Sequence, residues 1–131
     1  MEQQTIITGA SDGIGAAAAR CLASELRATY PRIDVLANNA GGIMGARAVT
    51  KDGFEKIFQV NHLAPFLLTH LLMPALIPGQ AKVLQTSSIA AQRYGHVDLD
   101  DLQNEKSYAP QKTYGTEGHR IRTQYPRSGA A

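Results

Sequence analysis

The chain has 131 residues, of which 44% are hydrophobic and 18% charged, with a formal net charge of +2. This is the make-up of one small folded domain. It argues against wholesale disorder, and the near-even charge balance does not suggest a nucleic-acid binder. The single cysteine, Cys21, excludes a disulfide framework and a cysteine-based zinc site.

Met1 to Gln4 has no basic region followed by an apolar run, so no signal peptide is read there. Thr5-Ile6-Ile7-Thr8 is a β-branched run and predicts a buried strand. The segment from Gly9 to Gly15 is glycine-rich, with Ser11 and Asp12 as candidate helix caps. Ala16 to Arg27 predicts a helix, Ala-rich with Leu22 and Leu26 one turn apart. Within it Cys21 reads as a small buried hydrophobe, in keeping with a reducing, cytoplasmic compartment. Pro31 ends that helix, and Ile33 to Leu36 reads as a second strand closed by Asn38-Asn39-Ala40-Gly41-Gly42.

Asp52 to Leu72 predicts helix, in two pieces around Pro65. The most apolar stretch, His62 to Pro78, is broken by His62, Pro65, His70 and Pro74. It falls short of the ~20 residues that span a bilayer, so a buried helix is expected and no membrane partner. Ala81 to Thr86 is a third strand, ending at Ser87-Ser88. Alternating strands and helices imply an α/β domain with a parallel sheet. From Gly118 on, scattered basic residues without apolar periodicity predict an irregular basic tail over 118–131. The histidines do not cluster with carboxylates at metal-ligand spacing, so no metal is expected.

Five motifs carry chemistry. Thr8 to Gly15 follows a strand and opens a helix. Its glycines allow a tight turn, and the helix N-terminus offers free N–H groups to phosphate oxygens. Asn38-Asn39-Ala40-Gly41 closes the second strand, Asn61 lies in the next helix, and Val83 to Ser88 delivers two serines before Tyr114. In this order and setting the chain resembles the short-chain dehydrogenase/reductase family, over nearly all of Thr5 to Thr116. The long interval from Ser88 to Tyr114, with its acidic stretch Val97 to Lys106, is similar to a branch of retinol dehydrogenases and related bacterial oxidoreductases.

The resemblance implies a Rossmann-like, doubly wound parallel sheet and an NAD or NADP cofactor. It implies cofactor binding by Gly9, Ser11, Asp12, Gly13, Ile14, Gly15, Asn39, Ala40 and Gly41. It gives Ser88 the role of polarising a substrate oxygen, Tyr114 that of acid/base and Asn61 that of ordering a proton relay. Hydride would pass between the cofactor and a small-molecule alcohol or carbonyl.

The pattern fails in two places. The interval from the glycine loop to Asn38 is too short for the family's second and third strands, so the sheet is expected to be truncated and to lack the ribose-recognising residue. Joining Arg27 directly to Ile33 with both elements in their family places would make a left-handed crossover, so the first helix is expected to shift. The family's lysine four residues after the tyrosine is also missing. Gly118 stands there, and its neighbours Arg120 and Arg122 are poorly placed to replace it. The sequence therefore reads as a partial dinucleotide-binding domain over 1–117 with impaired catalysis. The alternative is a non-catalytic nucleotide-binding or interaction module that self-associates or pairs with a full-length relative.

Overall fold

The computed structural model describes residues 2–8 and 15–124, with side chains through Ile121. Three parallel strands, β1 (Thr5–Ile7), β2 (Val35–Asn38) and β3 (Lys82–Gln85), lie in the order β1-β2-β3. Between them run helix α1 (Ala16–Thr29), then a continuous helical stretch. That stretch consists of α2 (Lys56–Phe58), a π-helical turn (Gln59–Leu63) and α3 (Ala64–Leu76). Helices α4 (Ala90–Tyr94) and α5 (Pro110–Gln124) follow β3.

Ile6, Leu36 and Val83 stand side by side in the strand register and face one way. Ala23 of α1 and Leu68, Leu72, Ala75 and Leu76 of α3 close over them as the core, with Leu22 and Leu26 at its margin. Alanines on α1 bring its backbone close to α3, and burial of these apolar faces holds the layer together. On the opposite face Ile7 is 68% and Leu84 54% exposed. Among the described residues no helix covers that side, although parallel sheets are normally buried on both faces.

The topology explains the one-sided layer. The chain moves from β1 to β2 to β3 in one direction across the sheet, and both α1 and α3 lie on the same face. The two crossovers therefore share one hand, and no crossover of opposite hand is needed. A doubly wound sheet covers its second face by reversing direction, and this three-strand piece makes no such reversal.

Several boundaries differ from expectation. The second strand starts at Val35 rather than Ile33, because the Ile33 amide donates to the Ala75 carbonyl and Asp34 turns its carboxylate to the Gln4 amide at 2.9 Å. That amide and Arg32 hold the Asp34 carboxyl below its usual value. The helical stretch starts at Lys56, where Glu55 accepts from the Ile57 and Phe58 amides as an N-cap, and it runs on to Leu76. Pro65 widens it without breaking it into two pieces. It has no N–H to offer the Asn61 carbonyl four residues back, and the backbone widens into the π turn just before it.

Three expectations are corrected. β1 is not a buried strand, since Thr5 and Ile7 are exposed and only Ile6 turns to the core. Cys21 is exposed, because the buried stripe of α1 passes through Ala19 and Ala23 and turns residue 21 to solvent. The irregular tail expected from Gly118 is helical as far as Gln124, while 125–131 lie outside the described residues. The stripe that buries this part of α5 is polar: Thr113, Thr116, Glu117 and Arg120 are all buried, and no apolar period marks it.

Candidate active site

The C-terminal ends of β2 and β3 gather the functional side chains. The loop after β2 is tied down from three directions. Thr8, at the end of β1, accepts from the Asn39 and Ala40 amides at 3.0 and 3.2 Å through its hydroxyl oxygen. Thr86, after β3, donates its hydroxyl to Asn39 Oδ1 at 3.1 Å. Asn61 reaches across from the π turn, accepting from the Gly42 amide through Oδ1 and donating to its carbonyl through Nδ2, both at 3.0 Å. Gly41 passes so close that a Cβ there would stand 3.2 Å from Asn61 Oδ1, which the absent side chain avoids. The Asn61 side chain is thus spent on shaping this loop.

Asn39, Ala40, Gly41, Asn61, Ser88 and Tyr114 line one cavity, with Ser87 beside them. Ser88 Oγ accepts from the Ala90 amide at 3.1 Å at the start of α4. That bond fixes the oxygen and leaves the hydroxyl proton available for a substrate oxygen. Tyr114 sits in the first turns of α5, facing the same space. One turn further on, the Gly118 carbonyl accepts from Ser87 Oγ at 2.9 Å. A Cβ at Gly118 would lie 3.1 Å from both Ala91 Cβ and Ser87 Oγ, so α5 packs flush against α4 here.

Arg120 does not replace a lysine beside Tyr114. Its guanidinium lies 4.4 Å from the centre of the Phe58 ring, donates to the Leu102 carbonyl at 2.9 Å and sits 3.4 Å from Glu117, away from the cavity. The Arg122 side chain lies outside those described. Glu117 is fully buried, and burial, opposed by Arg120 and reinforced by Glu55, pushes its carboxyl up to about 8. His62, stacked on Phe58, is held down to about 4 by burial and by Arg120. Tyr108 is engaged elsewhere, donating to the Met44 carbonyl at 2.6 Å.

At the other end of the expected cofactor site, Gly9, Ser11, Asp12, Gly13 and Ile14 lie outside the described residues. Gly15 is the N-cap of α1, with no side-chain cap of its own. The Ala16 amide donates instead to Asp52 Oδ2 at 3.0 Å, and the same oxygen accepts from Gln59 Nε2 at 2.9 Å. Two further residues have roles that the sequence did not mark as site functions, Thr8 and Asp52. Thr8 was visible as a hydroxyl at a strand end beside the glycine loop; Asp52 carried no local signal.

The cavity at Ser88 and Tyr114 is too small by itself to hold a whole dinucleotide, and the glycine loop that would take the rest lies outside the described residues. The cavity has a volume of about 60 Å³, well below the ~300 Å³ at which small-molecule pockets begin. A carboxylate already holds the first amide of α1.

The short chain dehydrogenase family model matches residues 22–98, more than half of the chain, and the chain belongs to that family. A Streptomyces sp. (strain C5) protein provisionally named daunorubicin C-13 ketoreductase DnrU is 48% identical over 98 residues, covering 74% of this chain and 33% of that protein. Human retinol dehydrogenase 14 is 42% identical over 89 residues, 68% of this chain and 26% of the relative. The chain spans about a third or less of the length of these curated relatives. Among solved structures, the Pseudomonas aeruginosa RhlG/NADP active-site complex superposes with a TM-score of 0.62 at 26% identity, over 87% of this chain and 43% of the other. The fold is thus a Rossmann-like α/β piece of the complete family fold. No described helix is long and apolar enough to cross a membrane.

Proposed function

We propose that this chain carries the substrate end of an NAD(P)-dependent oxidoreductase acting on an alcohol or carbonyl, with catalysis impaired in the chain itself. The observation that carries this reading is the convergence of Ser88, Tyr114 and the Asn61-braced Asn39–Gly41 loop on one cavity. A nicotinamide cofactor would supply the hydride. Ser88 is set to donate its hydroxyl proton to the substrate oxygen, stabilising negative charge there. Tyr114 is the acid/base candidate that exchanges a proton with that oxygen.

Impairment follows from Gly118. A lysine at this place would favour the phenolate by its charge, and the chain offers a flush helix contact instead. NADH and NADPH consumption with a panel of aldehydes and ketones tests the reading. Turnover is expected to be absent or marginal, lost on Tyr114→Phe if measurable. Robust turnover that survives both Tyr114→Phe and Ser88→Ala would overturn it. NAD and NADP are both compatible with the relatives, since the segment that distinguishes them in the family has no counterpart here.

A further inference from the structure

The acidic stretch between α4 and α5 takes no part in lining the cavity. Asp98 to Asp101 is a turn, closed by the Asp101 amide on the Asp98 carbonyl at 3.3 Å. Its own carboxylates fix its shape. Asp98 Oδ1 accepts from the Asp100 amide at 2.9 Å, and Asp101 takes the Glu105 and Lys106 amides at 2.7 and 3.1 Å. At the tip Leu99 is 79% exposed, more than any other large apolar side chain among the described residues. Asp98 and Asp100 flank it, both exposed, and no ion pair among the described residues engages either. The turn is a firm apolar knob between two anions.

A groove of complementary character lies elsewhere on the same chain. Between α1 and α3 an open groove of about 430 Å³ is lined by Arg20, Ala23, Ser24, Arg27, Ala28 and Leu71. Ala23 is buried and Leu71 half-buried, so the floor is apolar. The α1 wall carries Arg20 and Arg27, two turns and about 10 Å apart along the helix. Both are exposed, and neither enters an ion pair among the described residues. Glu25, the acid on α1, does not line the groove.

We propose that the turn of one copy seats in the α1–α3 groove of another, Leu99 against Ala23 and Leu71 with Asp98 and Asp100 beside Arg20 and Arg27. Opposite charge selects this occupant: the turn brings two carboxylates to two cations, and an apolar centre lies within each patch. Knob and groove belong to separate parts of the molecule. The loop is tied to the α5 side, where Arg120 donates to the Leu102 carbonyl and the Glu55 amide to the Gln103 side chain. The contact is therefore heterologous. Each seated copy leaves one knob and one groove open, so growth runs head to tail unless a ring closes. The bonds inside the turn leave little order to be lost on binding. A contact of this size is weak and sensitive to salt. It does not depend on the dehydrogenase reading.

Sedimentation of the full chain over a concentration series, at low and high salt, tests this. The mean mass is expected to rise with concentration at low salt and to fall back when salt is added. Arg20→Gln combined with Arg27→Gln should weaken association roughly tenfold, as expected for two exposed ion pairs. Leu99→Lys should weaken it by at least as much. All three side chains are exposed, so thermal melts should not change. The arginine variant keeps its knob and Leu99→Lys keeps its groove, so mixing the two should give a one-to-one pair of wild-type strength that grows no further. Leu84→Lys, on the uncovered sheet face, should leave the salt-sensitive association as it was. Failure of the mixture to pair, undiminished association of either variant alone, or loss of association on Leu84→Lys overturns the proposal. So does a wild-type chain that stays monomeric at every concentration, and co-sedimentation of that monomer with anionic vesicles would give the groove to a lipid surface instead.

Discussion

The two ends of the expected cofactor cleft have fared differently. At the C-terminal ends of β2 and β3 the loop, π turn, serine and tyrosine meet around one cavity. At the mouth of α1 the first amide is taken by Asp52, which lies just before the start of the second helical stretch. The lesson concerns which stretches keep the motifs. The loop, π turn, serine and tyrosine come from stretches that carry the family's motifs, whereas the short connection between Arg27 and Ile33 goes with a helix α1 that packs on the α3 face with its N-terminus beside Asp52.

The largest test of this contrast is Asn61→Ala. Losing both bonds to Gly42 leaves two backbone groups unpaired and should cost about 2–3 kcal/mol in denaturant unfolding. Amide exchange should quicken at 39–42 and stay unchanged over α1. A matching loss at α1 would show the two ends to be one unit.

Next comes Gly118→Lys. The crowding at Ala91 and Ser87 predicts a loss of about 2 kcal/mol from overpacking. Melting and turnover assays should show a weaker fold and no recovered activity; recovered activity would show that one missing charge was the whole defect.

The third test uses pH. Glu117 binds its proton more tightly folded than unfolded, so its stabilisation is complete below about 4.5 and is lost as pH rises to about 8. His62 works oppositely: its contribution is present above 6.5 and is lost as pH falls towards about 4. The two offset each other between 4.5 and 6.5. Stability should therefore be flat there and fall from pH 6.5 to 8, by on the order of 1 kcal/mol per pH unit. Glu117→Gln should flatten that fall in urea titrations taken at each pH.

The smallest effect belongs to Thr8→Ala, which removes the hydroxyl that joins β1 to the Asn39–Ala40 loop. About 1 kcal/mol is expected. A double-mutant cycle with Asn61→Ala would measure how far that hydroxyl couples the two ends.

Much of this was legible in the chain itself. The β-branched run Thr5–Thr8 located β1, the segment Ala81–Thr86 located β3 within a residue at each end, and the motif residues Asn61, Ser88 and Tyr114 do share one cavity. The α5 extension was hidden because its inward stripe is Thr113, Thr116, Glu117 and Arg120, which reads as solvent-facing by any apolar periodicity. Ile33 misled for the converse reason: it is fully buried but lies in the approach to β2, its amide bonded to α3 instead of a strand. Asp52 was illegible because its partner is 36 residues away and becomes its neighbour only through the packing of α1.

The uncovered face of the sheet bears on how such a molecule behaves in bulk. Ile7 and Leu84 stand open on a three-strand layer whose outer strands, β1 and β3, pair with no further strand among the described residues. Apolar surface and unpaired backbone groups then point at every neighbouring molecule, so colloidal stability should fall steeply with protein concentration. Light scattering of a dilution series would register this, and Leu84→Lys, which places a charge on the face without touching core or cavity, should raise the solubility limit.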